Sequence, residues 1–126
     1  MIYSRLIDGK AIVPVIFRLP GQPDFSLDFA IDTGFNGYLT LPSQAVSAMN
    51  LPLYSSTPIR LADGSEALSA IHLATIVWDD VEKIVLILAS GYKPLLGTAI
   101  MEGYHLEIDF EDNGLVSLEK IQSPIS

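Results

Sequence analysis

Turn-forming residues interrupt this chain too often for long helices. Short β-branched and apolar runs recur along it, each closed within about ten residues by a cluster rich in Gly, Pro, Asp or Asn. "AIVPVIFRL" is followed by "PGQPD", "KIVLILA" is preceded by "DDVE", and "HLEIDF" is joined through "DNG" to "LVSLEKI". The last pair reads as a hairpin. In "FSLDFAID", period two places Phe25, Leu27, Phe29 and Ile31 on one face and Asp28, Ala30 and Asp32 on the other. Pro14 inside the first run predicts an edge or a bulge. "TPIRLADGSEALSAIHLATIVW" reads as a long hairpin with Asp63-Gly64 at its tip, a pair suited to the positive φ angles of a tight two-residue turn. "YLTLP" reads as a short strand, "SQAVSAMNL" as a short helix capped by Ser43, and "TAIMEGY" as one or two helical turns. The expectation is an all-β chain of seven to nine short strands with one or two short helices, forming a single domain over residues 1–126.

Composition narrows the function. Fifteen acids face seven scattered bases, a net charge of −8, which repels phosphate backbones and argues against nucleic-acid binding. There is no cysteine, which excludes a disulfide scaffold, a thiolate metal site and a cysteine nucleophile. The longest apolar run, "IVLILA", is far shorter than the ~20 residues that span a bilayer. With no leader pattern at the N-terminus, a soluble cytoplasmic protein with no membrane partner is expected. An apolar fraction of 49% and a mean hydropathy of +0.39 suit either a buried subunit interface or a large β core.

Chemistry concentrates at "FAIDTGFNGYL", where an apolar strand ends in Asp32, Thr33 and Gly34. Taken alone, Asp32 reads as a turn residue in an Asx-type bend. Two further features follow it in order: the hairpin "IRLADGSEA", and "PLLGTAI" about sixty residues past the acid. With these three, nearly the whole chain resembles the retropepsin-like aspartic peptidases of clan AA, most closely small prokaryotic members with an Asp-Thr-Gly-Phe motif. The resemblance implies a closed β-barrel of the acid-protease fold, hydrolysis of a peptide or protein substrate, and no metal or organic cofactor. It casts Asp32, Thr33 and Gly34 as the catalytic loop. Thr33 would hydrogen-bond across a dimer, and Gly34 would offer its N–H to the Asp32 carboxylate. Leu95, Leu96 and Gly97 match the segment that packs under this loop. Phe35 and Asn36 would contact substrate, and Leu61, Ala62, Asp63, Gly64 and Ser65 would form a flap over it.

Such enzymes place two carboxylates across one water, sharing one proton because like charges that close cannot both ionise. This chain holds one Asp-Thr-Gly. A two-fold homodimer, with Asp32 against its own copy, supplies the second half. The apolar ends "MIYSRLI" and "LVSLEKI" are the expected dimer seam. Pepsin-like and retroviral members usually carry Ser or Ala where this chain has Phe35, which either narrows a substrate pocket or joins the dimer core. That departure, and a flap with one glycine, leave open an alternative: a non-catalytic dimeric peptide-binding or regulatory module on the same fold. His72 and His105, thirty-three residues apart, lack ligand spacing. No Gly-x-Ser-x-Gly elbow points to a serine nucleophile.

Overall fold

The computed structural model describes residues 1–122; the "SPIS" end, expected to be loose, lies outside them. Ten strands and one helix follow in the order β1 (Ile2–Ile7), β2 (Lys10–Phe17), β3 (Phe25–Ile31), β4 (Leu39–Leu41), α1 (Ser43–Ala48), β5 (Leu53–Arg60), β6 (Glu66–Trp78), β7 (Val81–Ala89), β8 (Leu95–Leu96), β9 (Tyr104–Ile108) and β10 (Leu115–Lys120). All strands belong to one sheet, ordered β5-β6-β7-β4-β8-β3-β2-β1-β10-β9. An additional pairing of β2 with β6, Ile16 to Val77 and Phe17 to Ile76, returns the sheet on itself. Strands β6, β7, β4, β8, β3 and β2 therefore form a closed ring of pairings. From β2, the three strands β1, β10 and β9 extend outward.

The ring follows from period two. Val13, Val15 and Phe17 of β2 point inward with Phe29 of β3, Leu39 and Leu41 of β4, Ile76 of β6, Ile87 of β7 and Leu96 of β8, all essentially inaccessible. Phe17 stacks between Phe25 and Phe29 at centroid distances of 5.8 and 6.0 Å. Each such side chain contributes about 1.5–3 kcal/mol by leaving water. A smaller cluster of Leu6, Ala11 and Val116 sits under the three-strand extension, with Ile31, Leu106 and Ile108 packed against it.

Pro14 occupies an interior strand without loss of a hydrogen bond. Arg18 N–H donates to Thr75 O, and backbone direction alternates along a strand, so the position of the absent Pro14 N–H faces the same side. On that side β1 covers only Lys10–Ile12 and β6 only Ile16 and Phe17. The proline falls in the gap between two partners, a local edge.

Several local expectations change. Ser43 is not the cap of α1: Pro42 holds that position with φ −56° and ψ 144°, and no side chain caps the helix. The Pro42 carbonyl accepts from Ala45 and Val46 N–H, and a proline loses nothing there because an N-cap N–H has no helical acceptor. "TAIMEGY" forms no helix. Its bonds run from Met101 N–H to Thr98 O and from Tyr104 N–H to Met101 O, three residues apart, and Gly103 at φ +83° ends the run. Two-residue turns with both φ positive do occur, but at Asp8-Gly9 (φ 51° and 77°), between β1 and β2, and at Asp79-Asp80 (φ 49° and 66°), between β6 and β7. The terminal strands are already paired within the chain: at Arg5, β1 lies between β2 and β10, and β10 lies between β1 and β9.

Candidate active site

Strand β3 delivers Asp32 to the surface. Its parallel partner β8 receives it, with Ala30 paired to Leu95 and Ile31 to Leu96. Asp32 N–H donates to Leu96 O at 2.9 Å. The chain then turns, Phe35 N–H donating to Asp32 O at 3.1 Å, and returns as β4 along the other side of β8, antiparallel, with Leu39 opposite Leu96. Two residues of β8 thus hold both legs of the Asp32 loop.

Three more bonds fasten the loop to the segment beyond β8: Gly97 N–H to Tyr38 O at 2.8 Å, Thr98 N–H to Phe35 O at 2.8 Å, and Ala99 N–H to Gly37 O at 3.1 Å. The crossing is tight. A Cβ on Gly97 would overlap the Gly37 carbonyl oxygen, and would lie 2.8 Å from Phe35 O and 2.6 Å from the Phe35 ring. A Cβ on Gly37 would lie 2.5 Å from the tip of that ring. Both glycines are required by close approach rather than by an unusual φ.

Asp32 is half-buried, while Thr33 and Gly34 are exposed. Gly34 N–H donates to Asp32 Oδ1 at 2.9 Å. That bond is the one an Asx-type bend makes, so by itself it serves a turn residue as well as a catalytic one. The surroundings hold the loop more firmly than a bend requires. A simple turn needs no second segment threaded between its legs and no glycines cleared around its aromatic neighbour. Here the loop is over-determined, and the Asp32 carboxylate lies at its surface, accepting from Gly34 N–H.

Beside the loop lies an apolar cavity of about 340 Å³. Phe35, Asn36, Gly37, Tyr38 and Leu39 form one wall, and Thr57 of β5, Ile71 of β6, Leu86 and Leu88 of β7, and Ala99 form the rest. Phe35 and Asn36, expected at a substrate surface, are therefore brought to this cavity. Leu61, Ala62, Asp63, Gly64 and Ser65 are not; they form the exposed tip of the β5–β6 hairpin. Thr57, Ile71, Leu86 and Leu88 were missed because nothing in an apolar strand marks which residues face a cleft. A further cleft, of about 270 Å³ between Arg18–Pro20 and Met49–Pro52, shares no residue with the Asp32 loop.

The hairpin tip differs from the expected two-residue turn. Leu61 N–H donates to Ser65 O at 2.8 Å and Gly64 N–H to Leu61 O at 3.0 Å. Gly64 alone carries a positive φ, +86°, so Ala62, Asp63 and Gly64 make a three-residue loop closed by a left-handed glycine. Asp63 Oδ1 accepts from Ser65 Oγ at 2.5 Å and from Ser65 N–H at 2.9 Å. These bonds, the hydroxyl's first, hold the Asp63 carboxyl below its ordinary range. A depressed folded-state value means the contact is fully present above the unfolded value of about 3.9 and is lost as pH falls through the lowered one. In an NMR titration, the Ser65 amide shift is expected to follow that protonation, with a midpoint below pH 3.9. A midpoint at or above it contradicts the contact.

The two histidines lie elsewhere. His72 Nδ1 meets Leu51 O at 2.9 Å, and His105 Nε2 meets Glu107 Oε1 at 3.1 Å on the exposed side of β9. No helix among the described residues is long and apolar enough to cross a membrane.

No protein-family model matches the chain, and no curated protein matches it. Among solved structures it is similar to the crystal structure of a retropepsin-like aspartic protease from Rickettsia conorii, with a TM-score of 0.59 and 16% sequence identity over 97% of this chain and 92% of that one. The likeness establishes a retropepsin-like fold.

Proposed function

We propose that the protein is a homodimeric aspartic endopeptidase in which Asp32 of each subunit forms half of the catalytic dyad. The observation that carries this reading is the held Asp32 carboxylate. It sits at the surface of a loop threaded on both sides by β8, in a retropepsin-like fold, beside an apolar cavity. A single such carboxylate per chain is accounted for by a two-fold axis beside it.

The chemistry follows from the pair. One carboxylate, ionised, takes a proton from the water held between the two. The other, protonated, donates to the carbonyl oxygen of the scissile bond. The water oxygen forms a bond to the carbonyl carbon, giving a tetrahedral diol. Its collapse breaks the C–N bond, and a proton delivered from the dyad leaves with the amine. Gly34 N–H keeps the Asp32 carboxylate in place. Phe35 and the cavity walls accept an apolar side chain of an extended peptide, and the β5–β6 hairpin, Leu61 to Ser65 at its tip, closes over it to exclude water.

Because the reactive dyad holds one proton, its doubly ionised and doubly protonated forms are both inactive. The limits belong to the pair rather than to either residue. A peptide library, incubated with and without an aspartic-peptidase transition-state mimic, tests this directly. We expect mimic-sensitive cleavage, and kcat/KM against pH should be bell-shaped with its optimum at about pH 4–6. A rate that climbs steadily beyond about pH 8 would assign the chemistry to another base. Binding without turnover at any pH would assign the fold to the peptide-binding role instead.

A further inference from the structure

Trp78 closes β6, and its indole N–H is the one buried side-chain polar group among the described residues with no hydrogen-bond partner. The residue is 2% exposed, and a buried donor left unmet is costly. Its polar neighbour is Tyr104 Oη, close enough to be affected by the indole but without hydrogen-bond geometry. That hydroxyl gives its own proton to Asp79 Oδ2 at 3.0 Å. The two rings meet edge to face at 5.9 Å, which joins the β6–β7 hairpin to the start of β9.

At this junction lies a cavity of about 340 Å³ that shares no residue with the Asp32 loop or with the apolar cavity beside it. Trp78, Val81 and Lys83 line it from the hairpin, and Tyr104, Lys120 and Ile121 from the side of β9 and β10. Its rim is apolar where Val81 and Ile121 are exposed. Neither Lys83 nor Lys120 enters an ion pair among the described residues.

The side chains left without partners here are donors. An indole N–H and an ammonium donate and cannot accept. Glu102 is the one carboxylate in the lining, so two positive charges face one negative. Asp79, next to Trp78, is already balanced: the Met1 ammonium at 2.7 Å and the Tyr104 hydroxyl hold its carboxyl below the ordinary range. The net charge of −8 opposes any anion at long range. At ~0.15 M salt that field is screened beyond ~8 Å, so the local balance decides.

We propose that this cavity is a second ligand site, taking a small carboxylate that carries an apolar group. The carboxylate is drawn in by Lys83 and Lys120 and brings the Trp78 N–H the acceptor it lacks; its oxygens have lone pairs enough for all three donors. The apolar group packs on Val81, Ile121 and the Tyr104 ring. The volume suits an occupant of this size, at the lower end of the ~300–1,000 Å³ typical of ligand sites. The proposal does not depend on Asp32.

Trp78 is the chain's one tryptophan, so its fluorescence reports the site directly. Phenylacetate is titrated against the full chain at ~0.15 M salt, with phenylacetamide as its uncharged match. A saturable change with Kd at or below about 1 mM is expected, and binding of the amide at least about tenfold weaker. Lys83→Gln and Lys120→Gln, both at exposed positions, are each expected to raise Kd about fivefold to tenfold, and Glu102→Gln to lower it. A peptide ending in phenylalanine with a free carboxylate, beside the same peptide amidated, separates a chain terminus from a free acid as the source; preference for the carboxylate form in either supports the site. No saturable signal up to about 10 mM, equal affinity for phenylacetamide, or a Kd unmoved in both lysine variants overturns it. Displacement of phenylacetate by an equal concentration of inorganic phosphate also overturns it, because charge alone would then be recognised.

Discussion

Asp32→Asn is expected to lower kcat/KM by at least about 10⁴-fold while leaving the fold and the dimer intact. In the dimer the substitution removes both members of the pair, the base that takes the water proton and the acid that polarises the carbonyl, each worth about 10²–10⁴. The structural consequence is small because asparagine has the same shape and its Oδ1 still accepts from Gly34 N–H, the one hydrogen bond found for the Asp32 side chain. Loss of like-charge repulsion near the axis is expected to tighten association rather than weaken it. The measurements are cleavage of a selected peptide, ultracentrifugation and thermal unfolding on the same preparation. Activity within tenfold of wild type in a correctly assembled Asp32→Asn dimer eliminates the aspartic mechanism.

Gly97→Ala has the second large effect, and it acts through packing. The added methyl meets the Gly37 and Phe35 carbonyls and the Phe35 ring. The two carbonyls are backbone of the Asp32 loop, tied down by Ala99 and Thr98 N–H, so no rotamer change relieves the overlap. The loop must move off β8, breaking the bonds that hold both its legs. We expect a loss of about 3 kcal/mol, a fall in Tm of about 10 °C, and loss of activity at temperatures where the variant is still folded. Gly64→Ala is the control. Its Cβ meets nothing within 4 Å and only the positive φ is strained, so about 1 kcal/mol is expected and confined to the hairpin tip. A Gly97→Ala protein that melts within about 2 °C of wild type would show that the crossing relaxes.

What was legible in the sequence is what depends on near neighbours. Period two in "FSLDFAID" marked the buried face of β3 and the acid at its end, because adjacent side chains of a strand point opposite ways whatever the partner strand is. Turn clusters located the ends of most strands for the same local reason. Local signals misled where they competed. Ser43 looked like a cap, yet the backbone already turns at Pro42. Asp63-Gly64 looked like a two-residue turn, yet only Gly64 adopts a positive φ, because Leu61 pairs with Ser65 and lengthens the loop.

Asp32, Thr33 and Gly34 could be named from their order with two other motifs, but what fixes the Asp32 loop is contact across sixty residues. Leu95 and Leu96 are two apolar residues among many until they slot between Ala30–Ile31 and Leu39–Thr40. Gly97 is one of nine glycines until Gly37 and Phe35 leave its Cβ no room. The cavity walls come from β5, β6 and β7, whose inward residues pattern alone cannot assign to core or cleft. The chain ends are another case. Both look apolar enough to pair with another subunit, yet each finds partners within its own chain, β1 with β2 and β10, and β10 with β1 and β9. Pairing between distant strands is set by which surfaces remain after every nearer one is satisfied. That accounting is done by the folded chain as a whole, so it is absent from any stretch of the sequence that could be read alone.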